Sequence, residues 1–187
     1  RAIVNCGRAV KDMTIEIRDE NHKPLADKTI GKVWCTGPSL MKEYFRDKES
    51  TDACLVDGWL DTGDMGYLSN GYIYIVGRAK DMIISGGENI YSTQVEAAIH
   101  QHPAVLESAV FGVPDDTWGE AVKAVVVLKP GQHATEEEII AEASQHLASY
   151  QKPKSVDFVE ALPKAPTGKI LKRELRDPYW QEETRQV

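Results

Sequence analysis

The hydrophobic pattern of the chain changes after Gly77, and this change limits the possible folds more than any other feature. Before Gly77, short segments of alternating apolar and polar residues are separated by turn residues, which is typical of strands. Strands are predicted for residues 13–18, 31–36 and 72–76, and another is predicted to start at Gly58. Ser69-Asn70-Gly71 predicts a hairpin turn, and the polar residues 42–52 predict a short helix or loop. Residues 1–76 are therefore expected to be β-rich.

After Gly77, helix-like and strand-like segments alternate. Two capping-box patterns predict helix starts at residues 93–96 and 135–138, and a short helix is predicted for residues 170–175. The stripe of the second helix consists of Ile139, Ile140, Ala143 and Leu147. Apolar runs at residues 105–113, 121–128 and 155–159 predict three strands. These features predict a small α/β domain in which helices pack on a three-stranded sheet, so the chain as a whole is expected to be α+β.

Composition and charge limit the range of functions. The net charge of −7 argues against a general nucleic-acid binder, which needs a basic face. No run of about 18 apolar residues is present, so no transmembrane segment is expected. Cys6, Cys35 and Cys54 are widely spaced and form no ligand motif, which favours reduced, buried thiols in a cytoplasmic enzyme over disulfides or a zinc site. The chain opens on Arg1 without a signal-peptide pattern and is expected to begin inside a longer protein.

Two segments before residue 90 carry residues suited to binding a nucleotide. Asp64 lies beside a glycine in the segment Asp61-Thr62-Gly63-Asp64, and a carboxylate in a turn can accept two hydrogen bonds from the hydroxyls of a ribose. Arg78 offers a fixed fork of donors, and Gly86-Gly87 permits a positive φ or close approach of the backbone to a ligand. The alternatives are an ordinary turn for the first segment and a solvated surface hairpin for the second.

Two later segments are basic. The segment PKAPTGKI places Lys169 on a glycine-containing loop, but it is not a Walker phosphate loop, because Pro163 and Ile170 occupy positions that need glycine and Ser or Thr. Tyr150, Lys152 and Lys154 follow the second helix and could hold phosphate groups. The alternative is that these lysines are solvated charges, those near residue 152 being favoured at a helix C-terminus by the helix dipole.

The order of the segments identifies a family. The chain contains, in this order, the segments GWLDTGDMGYL, GRAKDMIISGGENIY and LPKAPTGKILKREL. Together they resemble the adenylate-forming acyl-CoA synthetases, a family that includes firefly luciferase and the adenylation domains of peptide synthetases. GKVWCTGPSLMKEYF is similar to a further family segment, with Glu43 in place of its usual glycine. The resemblance implies two domains. Residues 1–79 are the end of a β-rich N-terminal domain, and residues 80–187 are a mobile C-terminal domain that turns at Lys80.

The resemblance also implies roles for individual residues. Asp64 is expected to bind the ribose of ATP, with support from Arg78, and Lys169 is expected to act on the reacting carboxylate and phosphate. The turn Gly86-Gly87-Glu88 resembles the lining of the pantetheine channel. Positions that approach the CoA nucleotide match Trp118, Tyr150, Lys152 and Lys154, although Trp118 could equally be a core residue.

The same resemblance implies the reaction of the full enzyme and the parts of that enzyme that this chain is expected to lack. A carboxylic acid, ATP and CoA give acyl-CoA, AMP and pyrophosphate through an acyl-adenylate. The Mg²⁺ ligands, the phosphate loop and the acid pocket are expected in the missing N-terminal domain, with no metal ligand in this chain, so the chain alone is expected to be inactive. Two alternatives stay open: a fatty acyl-AMP ligase that loads a carrier protein, and a non-catalytic ligand-binding or interaction module.

Overall fold

The computed structural model describes residues 3–181 and divides the chain into two compact units, Arg1–Lys80 and Asp81–Val187. The division follows Lys80, which lies in the 3-10 turn Ala79–Asp81. Each unit contains one five-stranded sheet, and helices are added mainly in the second unit. The α+β fold class expected from the sequence is confirmed. None of the helices among residues 3–181 is long and apolar enough to cross a membrane.

The first unit is an antiparallel sheet in the order β1-β2-β4-β3, with β5 paired to β4. Its elements are β1 Thr14–Arg18, β2 Gly31–Thr36, α1 Lys48–Cys54, β3 Leu55–Val56, β4 Trp59–Ser69 and β5 Tyr72–Arg78. The predicted hairpin joins β4 to β5 through Asn70 and Gly71, whose φ angles of 53° and 78° suit a tight two-residue turn. Ile17, Val33 and Ile73 form the buried core.

The sequence prediction missed two features of the first unit. Strand β3 was not expected, whereas α1 agrees with the short helix or loop predicted for residues 42–52 and ends two residues beyond them. The segment Asp61–Asp64 was expected in a turn after a strand, but it lies within β4 as a bulge. Between the pairs Lys32↔Met65 and Trp34↔Asp61, the β2 strand has one residue and β4 has three. Gly63, at φ 71°, supplies the backbone conformation that this bulge requires.

The second unit is a mixed sheet covered by helices. Its strands are β6 Met82–Ser85, β7 Glu88–Tyr91, β8 Val105–Asp115, β9 Gly119–Leu128 and β10 Ser155–Phe158, and its helices are α2 Ser92–Ile99, α3 Glu136–Ser144 and α4 Lys172–Trp180. Strand β9 pairs antiparallel with β8 and parallel with β10. The β6–β7 hairpin joins this three-stranded sheet through one residue pair, Ser85↔Gly119. Helix α4 is longer than the predicted helix 170–175.

Strand β9 is buried on both faces. Val122, Ala124 and Val126 pack with α2 and α3 on one face. On the other face, Val125 and Val127 pack with a second cluster that includes Leu162. Alternate residues of a strand point to opposite faces, so a strand covered on both sides has a continuous apolar sequence. This explains why residues 121–128 are apolar except for Lys123.

One of the two predicted capping boxes is confirmed and one is wrong. At the start of α3, the Glu138 amide donates to Thr135 Oγ1 (3.3 Å), and the Thr135 amide donates to Glu138 Oε2 (2.8 Å). At α2 the N-cap is Tyr91, without a side-chain cap hydrogen bond. Glu96 Oε1 instead accepts from the Val110 amide (2.8 Å) and pairs with a lysine of α4. The Glu96 carboxylate therefore binds residues of β8 and α4 and does not cap α2.

The cysteines also differ from expectation. Cys6, Cys35 and Cys54 are free thiols, but the predicted burial is wrong for all three, because Cys6 is exposed and the other two are partly exposed. Burial does raise the pKa of the Cys35 thiol. Cys6 precedes β1 and lies on the surface, where its amide donates to the Ile73 carbonyl.

The confirmed capping box gives a prediction for stability. Thr135→Ala should lower the free energy of unfolding by about 1 kcal/mol, because the Glu138 amide loses its acceptor. Thr135→Ser keeps a hydroxyl at the N-cap and should retain most of that stability. Urea denaturation of both variants measures the difference. Equal destabilisation by alanine and serine would show that the box contributes nothing.

Candidate functional site

The first group of candidate residues is a cross-strand pair in the first unit. Asp64 on β4 lies opposite Arg78 on β5, and Arg78 Nε is 2.7 Å from Asp64 Oδ1. Both side chains keep access to solvent, with 27% of the Asp64 side chain and 46% of the Arg78 side chain exposed. The pair therefore presents an oriented carboxylate with a free oxygen and a guanidinium with further donors, a combination that suits a hydroxylated anionic ligand.

The neighbouring carboxylate, Asp61, has a different place. Asp61 Oδ1 accepts the Gly63 amide at 2.9 Å, and its other oxygen is 3.7 Å from Lys32 Nζ. The Thr62 hydroxyl donates to the Val33 carbonyl at 2.9 Å. These contacts hold the β4 bulge in shape. Asp64 is thus the carboxylate of this segment that remains available for a ligand.

The second group of candidates lines one cavity of the second unit. This cavity has a volume of about 290 Å³ and is lined by Ser85, Gly86, Glu88, Trp118, Ser149, Tyr150 and Lys154. The structure therefore brings together the glycine turn, the loop before β9 and the segment after α3. Ser85 and Ser149 were not predicted, although each directly precedes a predicted residue in the sequence. We refer to this site as the Trp118 cavity.

The β6–β7 turn fits closely against Trp118. Gly86 and Gly87 have φ angles of 60° and 83°, which residues with a side chain rarely adopt. The Gly86 amide donates to the Trp118 carbonyl at 2.9 Å, and a Cβ atom on Gly86 would lie 2.7 Å from Cε3 of the indole. Glycine is therefore required at position 86 by both conformation and space. Gly87 completes the turn but does not line the cavity.

The aromatic and charged walls of the Trp118 cavity are open to solvent. Trp118 is 49% exposed and Tyr150 is 47% exposed, so Trp118 is not a core residue. Asp115 Oδ1 accepts the amides of Thr117 and Trp118, which fixes the loop that carries the indole. Lys154 Nζ lies 6.0 Å from the centroid of the indole ring. Exposed aromatic faces beside an ammonium group suit a planar ring that carries phosphate.

Lys152 does not line this cavity. It directly follows the 3-10 turn Ser149–Gln151 and is partly buried. The Lys154 amide, two residues further on, donates to the Val122 carbonyl at 2.7 Å. This bond holds the segment against β9. Lys152 is therefore close in sequence to two residues that line the cavity, Tyr150 and Lys154, but is not itself a lining residue.

Lys169 is carried by a tight, hydrogen-bonded turn. The Gly168 amide donates to the Ala165 carbonyl, and the Ala165 amide donates to the Lys169 carbonyl, both at 2.8 Å. Pro166 occupies the second position of this turn and Gly168 follows at φ 83°, as the turn geometry favours. The Lys169 side chain is exposed, and its ammonium makes no hydrogen bond or ion pair with residues 3–181. A cation is therefore presented outward on a well-defined loop, which we call the Lys169 turn.

Helix α4, which follows the Lys169 turn, is held by a polar network near its C-terminus. Tyr179 donates to Asp157 Oδ2 at 3.0 Å, and Lys123 Nζ lies 2.9 Å from the same oxygen. Burial opposes ionisation of Asp157, but the hydrogen bonds from Lys123 and Tyr179 and the lysine charge outweigh it and lower its pKa. Burial, followed by the hydrogen bond to Asp157, raises the pKa of Tyr179. Helix α4 is therefore held to the sheet by charge as well as by packing.

The part of the chain that the structure describes contains no cluster of metal ligands. Residues 3–181 contain no group of three or more His, Cys, Asp or Glu side chains close enough to hold one. The chemistry that these residues offer is therefore that of ammonium, guanidinium, carboxylate and aromatic groups.

Comparisons with known proteins identify the family. Residues 94–169 match the family model of the AMP-binding enzyme C-terminal domain. A long-chain-fatty-acid–CoA ligase of Bacillus subtilis (strain 168) is 51% identical over 78% of this chain, and the match covers 26% of that enzyme. The fatty acid–[acyl-carrier-protein] ligase ScoC of Streptomyces coeruleorubidus is 39% identical over 92% of this chain and 33% of ScoC.

The solved structures most similar to the chain include those of one enzyme in two states. ATP-bound MatB from Rhodopseudomonas palustris is 37% identical and matches 96% of this chain and 36% of MatB with a TM-score of 0.88. Apo MatB matches 98% of this chain and 37% of MatB with a TM-score of 0.67. The chain thus spans about a quarter to a third of the length of these relatives. From the family model and these relatives, we conclude that the chain belongs to the AMP-binding, adenylate-forming enzymes and contains their C-terminal domain.

Proposed function

We propose that the chain is the C-terminal part of an ATP-dependent acyl-CoA ligase. The observation that carries this proposal is the Lys169 turn, a hydrogen-bonded loop whose ammonium group has no partner among residues 3–181. The relatives support the reaction class, because several of them are named as ligases of fatty acids or other carboxylic acids with CoA. The full enzyme converts a carboxylic acid, ATP and CoA to acyl-CoA, AMP and pyrophosphate.

In the first half-reaction, an oxygen of the carboxylate attacks the α-phosphorus of ATP. The bond from this phosphorus to the pyrophosphate oxygen breaks, and pyrophosphate leaves with the electron pair. The Lys169 ammonium contacts the attacking oxygen and the α-phosphate, where it stabilises the charge that moves between them. Asp64 accepts hydrogen bonds from the ribose hydroxyls, and Arg78, whose Nε lies 2.7 Å from Asp64 Oδ1, orients that carboxylate.

In the second half-reaction, the thiol of CoA attacks the carbonyl carbon of the acyl-adenylate. The bond to the AMP oxygen breaks, AMP leaves with the electron pair, and the thiol proton passes to solvent. The nucleotide end of CoA binds at the Trp118 cavity, where Trp118 and Tyr150 stack on the adenine and Lys154 contacts phosphate, with Lys152 adding charge nearby. The pantetheine arm passes the turn Gly86-Gly87-Glu88.

The chain supplies only part of this enzyme. The Mg²⁺ ligands, the loop that holds the triphosphate and the pocket for the acid belong to an N-terminal domain that the 187 residues do not include. Residues 1–79 are the end of that domain, and residues 80–187 are the mobile C-terminal domain. The isolated chain is therefore inactive. Because ATP and CoA are both intracellular cosubstrates, they support a reaction inside the cell.

One relative supports a carrier protein, in place of CoA, as the acceptor of the acyl group. ScoC, which matches 92% of the chain, is named as a ligase that uses an acyl-carrier protein. The thiol of a carrier protein is also on a phosphopantetheine arm, but it lacks the adenine nucleotide of free CoA. The Trp118 cavity, with its exposed aromatic faces and lysine, supports free CoA as the acceptor. Thioester formation with CoA, and not only with a carrier protein, is the outcome that this proposal requires.

The role of Lys169 can be tested by separating the two half-reactions. In the longer enzyme that contains this chain, Lys169→Ala should slow adenylate formation by about 10²–10³-fold, because a single group that stabilises the transition state is removed. Thioester formation from supplied acyl-adenylate should be nearly unchanged. ATP–pyrophosphate exchange measures the first step. Lys48→Ala, which removes a lysine side chain that is 86% exposed, serves as the control. Equal losses in both half-reactions would contradict the assignment.

The nucleotide assignment of the Trp118 cavity gives a second test. Trp118→Ala should raise the KM for CoA about tenfold, because stacking of a base on an aromatic ring is lost. The KM for pantetheine, which has no adenine, should not change, and neither should adenylate formation. Steady-state kinetics with the two thiols measures the difference. A similar rise for pantetheine would place the nucleotide elsewhere.

The proposed hinge gives a third test. Lys80 is the last residue of the first compact unit, at the point where the chain passes into the second. Lys80→Pro should slow thioester formation by roughly tenfold or more, because proline fixes φ at the pivot and restricts the turn between steps. Adenylate formation should be retained. Lys80→Ala removes the side chain without fixing φ and should be active in both steps. Unimpaired overall turnover in the proline variant would remove Lys80 as the pivot.

A further inference from the structure

We propose that two ion pairs, one on each side of the Lys169 turn, position its ammonium group for adenylate formation. The pairs are Lys164 with Glu107 and Lys172 with Glu96. The lysines lie five residues before and three residues after Lys169. This inference rests on the role of Lys169 given in the proposed function and assigns positioning residues to that role.

The first anchor precedes the turn. Lys164 Nζ forms an ion pair with Glu107 on β8, and the Lys164 backbone bridges to Ile170 across the base of the turn. Ile170 in turn packs against the buried cluster that contains Leu162. One strand of the turn is therefore tied to the sheet by a charge contact and the other by apolar packing.

The second anchor follows the turn and is more enclosed. Lys172 Nζ lies 2.7 Å from Glu96 Oε1 and donates to the Ser92 hydroxyl at 2.9 Å, both partners being on α2. Only 19% of the Lys172 side chain and 18% of the Glu96 side chain are exposed. The same Glu96 oxygen accepts the Val110 amide of β8, so the carboxylate joins α2, α4 and the sheet at one point.

The stability of α4 does not account for a lysine at position 172. Lys172 is the first residue of this helix, where the helix dipole disfavours a positive charge. Glu96 offsets this unfavourable position. The geometry instead suits a fixed point at the end of the Lys169 turn.

The two anchors together restrict the direction in which the turn points. A turn held at one end can rotate about that end, whereas a turn held at both ends has a single orientation relative to the sheet. The internal bonds of the turn, from the Gly168 and Ala165 amides, keep its shape. The backbone of Lys169 then has a fixed position, and only its exposed side chain can move. Misplacing a catalytic group by about 1 Å can cost about 10²-fold in rate.

The test separates positioning from general stability. In the longer enzyme, Lys172→Met and Glu96→Gln should each lower kcat for adenylate formation by about 10- to 100-fold. The KM for ATP and for the acid should stay within about twofold, because ground-state binding does not involve the turn. Thioester formation from supplied acyl-adenylate should be retained. Glu96→Gln keeps an oxygen for the Val110 amide, so it tests the ion pair even where Lys172→Met folds poorly.

The double variant and a conservative variant sharpen the test. Glu96→Gln combined with Lys172→Met should be no slower than the slower single variant, because both changes remove one interaction. Lys172→Arg should recover part of the rate, since it restores a cation for Glu96. Hydrogen exchange of the Ala165 amide should be faster in the Met and Gln variants than in the parent enzyme, because this amide closes the turn on the Lys169 carbonyl.

Arg173→Met is the matched control. Arg173 is the next residue of α4, is 84% exposed and pairs with Asp177 within the helix, so its loss should leave both half-reactions unchanged. Equal losses in the two half-reactions for Lys172→Met, or a loss as large for Arg173→Met, would overturn the inference. Lys169→Ala is measured alongside. If Lys169→Ala slows adenylate formation and the anchor variants do not, the inference alone fails. If Lys169→Ala has no effect, the proposed function of Lys169 fails, and the anchors fail with it.

Discussion

Burial of both faces of β9 is the constraint on which the second unit depends. Residues 120–127 of this strand are all buried, so each face must be covered by other elements. Helices α2 and α3 cover one face through Val95 and Ile139. The segment around Leu162 and the start of α4 cover the other. The Lys169 turn belongs to this second covering segment, so the packing of the sheet also determines where the exposed lysine is carried.

The Trp118 cavity depends on the same strand. Gly119, the first residue of β9, pairs with Ser85 of the β6–β7 hairpin, and this contact brings the glycine turn beside Trp118. Lys154 reaches the cavity because its amide binds the Val122 carbonyl of β9. Three segments that are distant in the sequence therefore meet at one end of a rigid strand. Ligand sites built on such a framework can be precise while their walls remain open to solvent.

The elements that the sequence predicted well are those with a local cause. The Asn70-Gly71 turn, the Thr135 capping box and the mostly apolar strand β9 each follow from the conformational or burial preference of a few adjacent residues. The errors have non-local causes. The box expected at residue 93 failed because Glu96 found partners on β8 and α4, which are distant in sequence. The β4 bulge was missed because it depends on pairing with β2.

The sequence by itself determined the α+β class, most strands and helices, the family, and the identity of the candidate residues, because periodicity, turn chemistry and motif order are local properties of the chain. Only the tertiary structure decided which candidates share a site. It placed Glu88, Trp118, Tyr150 and Lys154 around one cavity but left Lys152 outside its wall. It also paired Glu96 with a lysine 76 positions away. Such contacts depend on how the sheet and helices pack, and spacing along the chain does not encode them directly.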